Sequence, residues 1–284
     1  MVDVGFIGLG QMGAPMAAHL IPAGVLVHDV DPSATAALAE QGARVAGSIA
    51  ELAASSTVIS LMVRDDQQVH EVLAGTDRTG GIIGNAAPGT VIAVHSTISH
   101  RSAIEFGALA ADAGFALVDA PVSGSVLGAH AGNLAVMVGG DDDAIARCRE
   151  AFEPWSGLFI SAGPLGSGIE LKLARNLVHF ASFAAVGEAV RLAEASGVSI
   201  RSLSKVMRHT DAITGGPSAV ILRQTAAPMP PDDPWYATLA NVLSLGHKDL
   251  SAAIERATEL GIDIPLAALA DHELARCLGL PEEP

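Results

Sequence analysis

The chain has 284 residues, of which 50% are hydrophobic, and its 31 Asp and Glu against 16 Lys and Arg give a formal charge of -15 at pH 7. This length favours two domains, and an acidic surface without basic runs repels nucleic-acid phosphates and anionic membranes, so we expect neither as a partner. Cys148 and Cys277 form no disulfide framework and no basic stretch precedes an apolar one at the N-terminus, so we expect a soluble, cytoplasmic protein.

A glycine-rich turn follows the first strand-like segment, residues 2–7. It precedes a helical segment, 14–20, and a second strand, 25–28, and reads Gly8, Leu9, Gly10, Gln11, Met12, Gly13. The glycines permit a tight turn, the approach of a pyrophosphate to the backbone, and close packing of helix on strand. Glycines alone are typical of any tight strand-to-helix turn. Together with the flanking elements, this pattern predicts a dinucleotide site of the Rossmann type.

Asp29 ends the second strand, about 20 residues beyond the glycine turn, where a carboxylate binds the adenosine ribose and repels a 2′-phosphate. Residues 30–33 contain no Arg that could accept such a phosphate. We therefore expect NAD as the cofactor rather than NADP. Asp31 and Ser33 are expected to cap the helix at 34–41 instead of touching the cofactor.

Further strands are predicted at 58–63 and 90–94. The carboxyl ends of parallel strands line the ligand crevice, so the cofactor is expected beside Val63, Arg64, Ser96 and Thr97. Two alternatives remain open. Ser96 and Thr97 could cap the helix at 103–113, and Arg64 could lie over the adenine or pair with Asp65.

The strand that begins at Ala116 ends in a turn of small residues that includes Ser123, Gly124 and Ser125. Backbone N–H groups in such a turn can converge on a carboxylate, although an ordinary surface loop has the same composition. A strand at 135–138, a helix to about 152 and a strand at 158–160 follow.

Residues 165–196 contain no Pro and have apolar residues at helical spacing, which predicts a long helix. Lys172 and Asn176 lie four residues apart and therefore on one face. A lysine in an apolar segment has a lowered pKa and can exchange a proton near neutral pH. Alternatively, Lys172 extends to solvent and pairs with Glu170 or another carboxylate.

The remaining chain is predicted to be helical at 201–207, 217–224, 242–260 and 266–277, with a Pro-rich loop at 228–234. Such a segment forms a module separate from the first. Three histidines, one in the long helix and two in this segment, have no metal-ligand spacing to other ligand residues, so no metal site is expected: His179, His209 and His247.

Four segments in this order resemble the β-hydroxyacid dehydrogenases, the family of 3-hydroxyisobutyrate dehydrogenase. They are Gly8 to Met16, Asp119 to Gly124, Gly168 with Lys172 and Asn176, and His247 to Leu250 ahead of Gly261 to Pro265. The resemblance implies an α/β fold, with an N-terminal Rossmann-type doubly wound sheet (1–163) joined by a long helix to an all-α C-terminal domain (164–284). It also implies a homo-oligomer, a dimer or tetramer assembled mainly through the helical half.

The resemblance further implies the reaction. A hydride would pass between a nicotinamide and a small β-hydroxy acid or its semialdehyde. The implied roles are pyrophosphate binding by Gly8, Gly10 and Gly13, ribose binding by Asp29 and Ser96, substrate carboxylate binding by Ser123 and Gly124, proton transfer by Lys172, substrate orientation by Asn176, and cofactor closure by Lys248.

Some positions depart from the family pattern: Arg175 replaces a second Asn, Ser125 a glycine, Arg64 a proline, and Asn241 an aromatic residue. They leave the substrate side chain open. Alternative functions are an imine reductase, which generally has another acid in place of Lys172, a semialdehyde or glyoxylate reductase, and a cofactor-binding scaffold without turnover. A 6-phosphogluconate dehydrogenase would need a basic phosphate pocket, which the sequence lacks.

Overall fold

The computed structural model describes residues 3–75, 80–223, 225 and 227–281. Two compact units, Met1–Arg175 and Asn176–Pro284, divide the chain. Nine strands lie among the described residues of the first unit: β1 (Val4–Ile7), β2 (Leu26–His28), β3 (Arg44–Val45), β4 (Val58–Leu61), β5 (Val91–Val94), β6 (Ala116–Asp119), β7 (Val122–Ser123), β8 (Leu134–Gly139) and β9 (Ser156–Gly163). Its helices are α1 (Gly13–Ala18), α2 (Pro32–Ala39), α3 (Ile49–Ala54), α4 (Asp66–Ala74), α5 (His100–Asp112), α6 (Ser125–His130) and α7 (Asp142–Phe152).

The strands form one sheet in the order β3-β2-β1-β4-β5-β6-β8-β7, with β9 paired to β8. All pairs from β3 to β6 are parallel, whereas β8 runs antiparallel to β6 and β7. The chain leaves β1 in one direction to β2 and β3 and then resumes on the other side of β1 with β4. Ligands bind at such a reversal of strand order, at the carboxyl ends of the strands.

Both faces of the sheet are covered, which explains the continuous apolar runs of its central strands. Phe6 and Val58 belong to one buried cluster, while their chain neighbours Ile7 and Ile59 belong to a second. Successive side chains of a strand point to opposite faces, so the two clusters lie on opposite faces of the sheet. The predicted doubly wound α/β architecture is confirmed.

The long predicted helix is α8 (Ser167–Ala195), and it continues from the first unit into the second. The second unit also contains α9 (Ile200–Thr214), α10 (Tyr236–Glu259) and α11 (Pro265–Cys277). Glu188 of α8 is buried and accepts hydrogen bonds from the backbone N–H groups of Leu266 (2.8 Å) and Ala267 (2.9 Å) at the start of α11. These donors have no partner within a helix, so a carboxylate there stabilises the helix end.

The helix predicted at 217–224 is wrong over its described residues. A short 3₁₀ helix occupies Gly216–Val220 instead, and residues 221–223 are not helical. Gly215 and Gly216 both have positive φ, so the backbone turns away from α9 before Pro217 and starts no new α-helix. Helix α10 starts six residues before its expected position. Among the described residues, no helix is both long and apolar enough to cross a membrane.

Candidate functional site

The carboxyl ends of four parallel strands are in register at one edge of the sheet. Ile7 of β1 pairs with Leu61 of β4, Leu61 with Val94 of β5, and Val94 with Asp119 of β6. With neighbouring strands about 4.8 Å apart, the end of β6 lies about 14 Å from the end of β1. The glycine turn after β1 and the small-residue turn after β6 therefore share one edge.

A cavity of about 460 Å³ opens at this edge beside the glycine turn. Its lining includes Gly8, Gly10, Gln11, Met12, Gly13, Asp29, Val63 and Arg64. Two glycines are required by the chain itself: a Cβ on Gly8 would lie 2.3 Å from the Met62 carbonyl oxygen, and one on Gly13 would lie 1.9 Å from that of Gly8. The close approach of the turn, the strand and the helix thus explains why both positions are glycine.

Gly10 differs, because a Cβ there would meet no other group within 4 Å. Within the described chain, no hydrogen bond engages the backbone N–H groups of Gly10, Gln11 and Met12. An open space beside unengaged donors fits a pyrophosphate, which would occupy the position of the missing side chain. The residues present therefore fit the predicted dinucleotide.

The carboxylate of Asp29 organises the same cavity. Its two oxygens accept hydrogen bonds from the backbone N–H groups of Leu9 (2.6 Å) and Asp31 (2.8 Å), which ties the glycine turn to the end of β2.

Asp31 caps α2 through Ser33, as expected. Arg64 pairs with Asp65 at 2.9 Å, the second of its two alternatives.

Ser96 holds a residue of the cavity wall. Its buried hydroxyl donates to the carbonyl of Val63 (2.7 Å) and accepts from the N–H of Val63 (3.0 Å). A direct contact of Ser96 with the cofactor stays a prediction, whereas its support of Val63 is visible. The capping alternative for Ser96 and Thr97 is wrong, because α5 begins at His100 and its N-cap is Ser99.

Lys172 is buried, with 8% of its surface exposed, and its amine donates a hydrogen bond to the carbonyl oxygen of Val122 at 2.5 Å. Extension to solvent and pairing with Glu170 are therefore wrong. Glu170 lies 3.4 Å from the ring of His100 instead. Burial lowers the pKa of Lys172, and the positive charge of Arg175, one helical turn away, lowers that pKa further.

The turn next to Val122 is built for close backbone approach. Ser123 ends β7, Gly124 has φ 137°, and Ser125 has φ 59°, the left-handed region that favours glycine. Among the residues that the structure describes, Ser125 is the non-glycine residue with a positive φ. Such backbone strain is found at functional sites. The Lys172 amine thus lies one residue from the turn expected to bind a carboxylate.

Asp119, at the end of β6, is completely buried. Its carboxylate accepts hydrogen bonds from the backbone N–H groups of Gly166 (2.7 Å) and Ile169 (2.6 Å), at the start of the helix that carries Lys172. Burial raises the pKa of Asp119, and these hydrogen bonds oppose the shift. No role was predicted for Asp119 from the sequence. The signal in the sequence that could have pointed to Asp119 is an acidic residue at the end of a buried strand.

His95 was also missed, and it forms part of the support behind the site. It is buried, its Nδ1 lies 2.8 Å from the carbonyl oxygen of Ala120, and its Nε2 lies 3.0 Å from the hydroxyl of Ser60. Since a carbonyl only accepts, Nδ1–H donates, and the neutral ring then accepts from Ser60 at Nε2. Burial lowers the pKa of His95 to about 4.

The second unit carries the two other predicted site residues. Asn176 is half-buried on α8, and Lys248 on α10 is exposed and lies 3.2 Å from Asp249. Their roles toward substrate and cofactor stay predictions. Within the described residues, no group of His, Cys, Asp and Glu could hold a metal ion.

Two family models cover nearly the whole chain. Residues 3–163 match the NAD-binding domain of 6-phosphogluconate dehydrogenase, and residues 166–279 match the NAD-binding domain of NADP-dependent 3-hydroxyisobutyrate dehydrogenase. The two matches meet just before α8 begins, close to the domain boundary expected at 163/164, whereas the compact units divide inside α8.

Similar proteins extend over the same length. An uncharacterized oxidoreductase of Mycobacterium tuberculosis is 45% identical, covering 98% of this chain and 94% of that protein. The 3-hydroxyisobutyrate dehydrogenase of Pseudomonas aeruginosa is 35% identical, covering 95% and 90%. The crystal structure of an oxidoreductase from Mycobacterium avium superimposes with a TM-score of 0.93 at 43% identity, covering 99% of this chain and 100% of that one.

An imine reductase from Pseudomonas sp. shares the fold, with a TM-score of 0.74 over 98% of this chain and 95% of that one. Its identity is 19%, so this likeness concerns the fold alone.

Proposed function

Because this chain belongs to the β-hydroxyacid dehydrogenase family, we propose that it oxidises a small, 3-hydroxyisobutyrate-like β-hydroxy acid, or reduces the matching semialdehyde, with Lys172 as the general acid/base. The family makes it an NAD(P)-dependent dehydrogenase that acts on CH–OH groups. The substrate and the role of the lysine are the proposal. The observation that supports it is the hydrogen bond from the buried amine of Lys172 to the carbonyl of Val122, next to the Ser123–Gly124 turn.

The Ser123–Gly124 turn and Lys172 have different roles in the proposed reaction. The backbone of Ser123 and Gly124 binds the substrate carboxylate, which places the β-hydroxyl near the amine. A bound nicotinamide would supply the hydride acceptor for the carbinol carbon. Neutral Lys172 takes the hydroxyl proton as the carbonyl forms, and the charged amine returns a proton to the oxygen in the reverse direction. Asn176, one turn further along α8, holds the substrate oxygen.

A lowered pKa suits this task, since a general base works best when its pKa lies near the operating pH. Burial and the charge of Arg175 both act in that direction. The hydrogen bond to Val122 orients the amine in both of its protonation states, because the neutral and the charged amine can each donate to a carbonyl.

NAD is the proposed cofactor, with NADP as the weaker alternative. Gly8 to Gly13 would hold the pyrophosphate, and Asp29 the adenosine ribose. The described wall of the cavity carries two carboxylates, Asp29 and Glu71, and its arginine, Arg64, is already paired with Asp65. A 2′-phosphate would meet net negative charge there, so we expect at least tenfold weaker binding of NADPH than of NADH.

Turnover on a panel of small hydroxy acids tests the proposal, combined with a fluorescence titration of NADH and NADPH. We expect NAD reduction with at least one acid that has a β-hydroxyl and a free carboxylate, and none with its methyl ester. Cofactor binding without turnover on the panel and its semialdehydes would indicate a scaffold instead. Turnover of cyclic imines alone would indicate an imine reductase. The presence of the buried lysine disfavours this alternative.

We also propose that the chain forms a homo-oligomer through its helical unit. Large apolar side chains on the part of α8 that belongs to the second unit are exposed, including Leu177 (71%), Phe180 (61%) and Phe183 (57%). At about 100° per residue, these residues together with Val178 extend more than halfway round the helix. A helix that is apolar over so much of its surface is normally buried. A second copy presents the same apolar surface and would cover it.

A further inference from the structure

We propose that Asp119 is a positioning residue for Lys172: its buried carboxylate fixes the first turn of α8 to the end of β6, in the register that places the lysine amine on Val122. The inference rests on the proposed function, because it concerns the residue named there as the acid/base. It adds a residue that never touches the substrate but decides where the proton is exchanged.

Two hydrogen bonds make the connection. The carboxylate accepts from Gly166 N (2.7 Å) and from Ile169 N (2.6 Å), which lie 47 and 50 residues later in the chain. The first N–H groups of a helix have no partner within the helix, and a carboxylate is their strongest acceptor among protein groups. Both oxygens are engaged and the side chain is completely buried, so Asp119 has no surface with which to contact a substrate.

The same two segments meet again one turn further on. Asp119 binds Ile169, and three residues later in each segment Val122 binds Lys172. The chain from 119 to 122 therefore holds α8 at two successive points, and the first sets the distance and rotation of the second. A shift of the helix start by a fraction of an ångström would move the amine away from the Ser123–Gly124 turn.

Two glycines allow the close packing around the carboxylate. A Cβ on Gly168 would lie 2.8 Å from one carboxylate oxygen, and a Cβ on Gly139 would lie 2.4 Å from the other. Gly168 is one of the residues that carry the family resemblance. Its lack of a side chain is explained by the approach of Asp119 and of the Met137 carbonyl, 2.4 Å from the same Cβ position.

The test is Asp119→Asn, compared with Lys172→Ala and the wild type. An amide oxygen can accept from one of the two N–H groups but presents its NH₂ to the other, so the helix start shifts. We expect kcat to fall by about 10²-fold, the cost of a displacement of about 1 Å at a reacting group. NADH affinity should stay within about twofold. The pKa seen in the pH profile of kcat should rise, because a displaced amine gains solvent.

Each other outcome has a distinct meaning. A wild-type rate and pH profile for Asp119→Asn, with Lys172→Ala inactive, would overturn the positioning role and leave the proposed function intact. A loss of kcat that matches a loss of NADH-binding sites, without a change in the pH profile, would show a purely structural role and overturn the inference. Wild-type turnover by Lys172→Ala would instead refute the proposed function.

A second measurement needs no variant, in case Asp119→Asn does not fold. In the wild-type chain with NADH, amide hydrogen exchange at Gly166 and Ile169 should be as slow as at the buried amides of β6. Fast exchange at both positions would overturn the proposal, because a connection that opens freely cannot hold the lysine.

Discussion

The amine of Lys172 donates a hydrogen bond to the backbone carbonyl of Val122, 50 residues earlier in the chain. This contact brings the one buried lysine among the described residues to the turn after β7. The family makes this protein a dehydrogenase, and the contact supports our proposal that the amine of Lys172 exchanges the proton.

Lys172→Ala should lower turnover by at least about 10²-fold, because a positioned acid/base contributes about 10²–10⁴ in rate. NAD affinity should be nearly unchanged, since the lysine is not part of the described cavity wall beside the glycine turn. Steady-state kinetics and an NADH titration measure the two effects. Lys205→Ala is the matched control, because Lys205 is an exposed lysine on α9. Equal rates in both variants would contradict the assignment.

Arg175→Gln should raise the pKa of Lys172, because it removes the charge that helps to lower that pKa. The oxidation of the hydroxy acid requires the neutral amine, so the pH profile of kcat should shift to higher pH, and the rate at pH 7 should fall. Arg175→Lys keeps the positive charge and should leave the profile close to that of the wild type. An unshifted profile for Arg175→Gln would show that this charge does not act on the catalytic group.

Gly10→Ala should leave the free energy of unfolding within about 1 kcal/mol of the wild type, because the added methyl group meets nothing within 4 Å. NADH affinity should fall at least tenfold, since that space is the expected pyrophosphate position. Gly8→Ala is the contrasting variant. Its methyl group would lie 2.3 Å from a carbonyl oxygen at φ +92°, so it should destabilise the fold itself, by about 1–3 kcal/mol or more. Urea unfolding and NADH titration of both variants separate folding from binding.

His95 should make the fold sensitive to acid. Burial lowers its pKa to about 4, against about 6.5 in the unfolded chain. Between these values the unfolded state binds more protons, so stability falls as the pH falls, by about 1.4 kcal/mol per pH unit from this group. Urea unfolding from pH 7 to pH 4.5 measures the slope. His95→Gln, which cannot titrate, should have a shallower slope whatever its stability at pH 7.

The wild-type chain should have a solution mass of at least twice the 28.8 kDa of one copy, measured by light scattering. Phe180→Glu combined with Phe183→Glu should lower that mass, because charges on the proposed contact surface would be buried without partners. Leu127→Glu is the control, since Leu127 is an exposed apolar residue outside the helical unit. A monomeric wild type, or a double variant with unchanged mass, would contradict the proposal.

The predictions made from sequence were strongest where the pattern is local. Gly13 and Asp31 have the expected positions because each acts on residues within a few positions along the chain, Gly13 on Gly8 and Asp31 on Ser33. The predicted helix at 217–224 failed, because its composition permits a helix but two glycines with positive φ redirect the backbone. The bond between Ser96 and Val63 was not predicted, because only the pairing of β4 with β5 supplies this partner. The expected contact of Ser96 with the cofactor stays a prediction.

The sequence by itself determined the succession of strand, glycine turn and helix, the acidic end of β2, and a long helix free of proline with Lys172 near its start. These features arise from backbone propensities and side-chain periodicity, which act over a few residues. Only the tertiary structure decided that Lys172 is buried and that Asp119 holds its helix. Both depend on contacts between segments about 50 residues apart, and those contacts exist only once the order of the strands has placed β6 beside the start of α8.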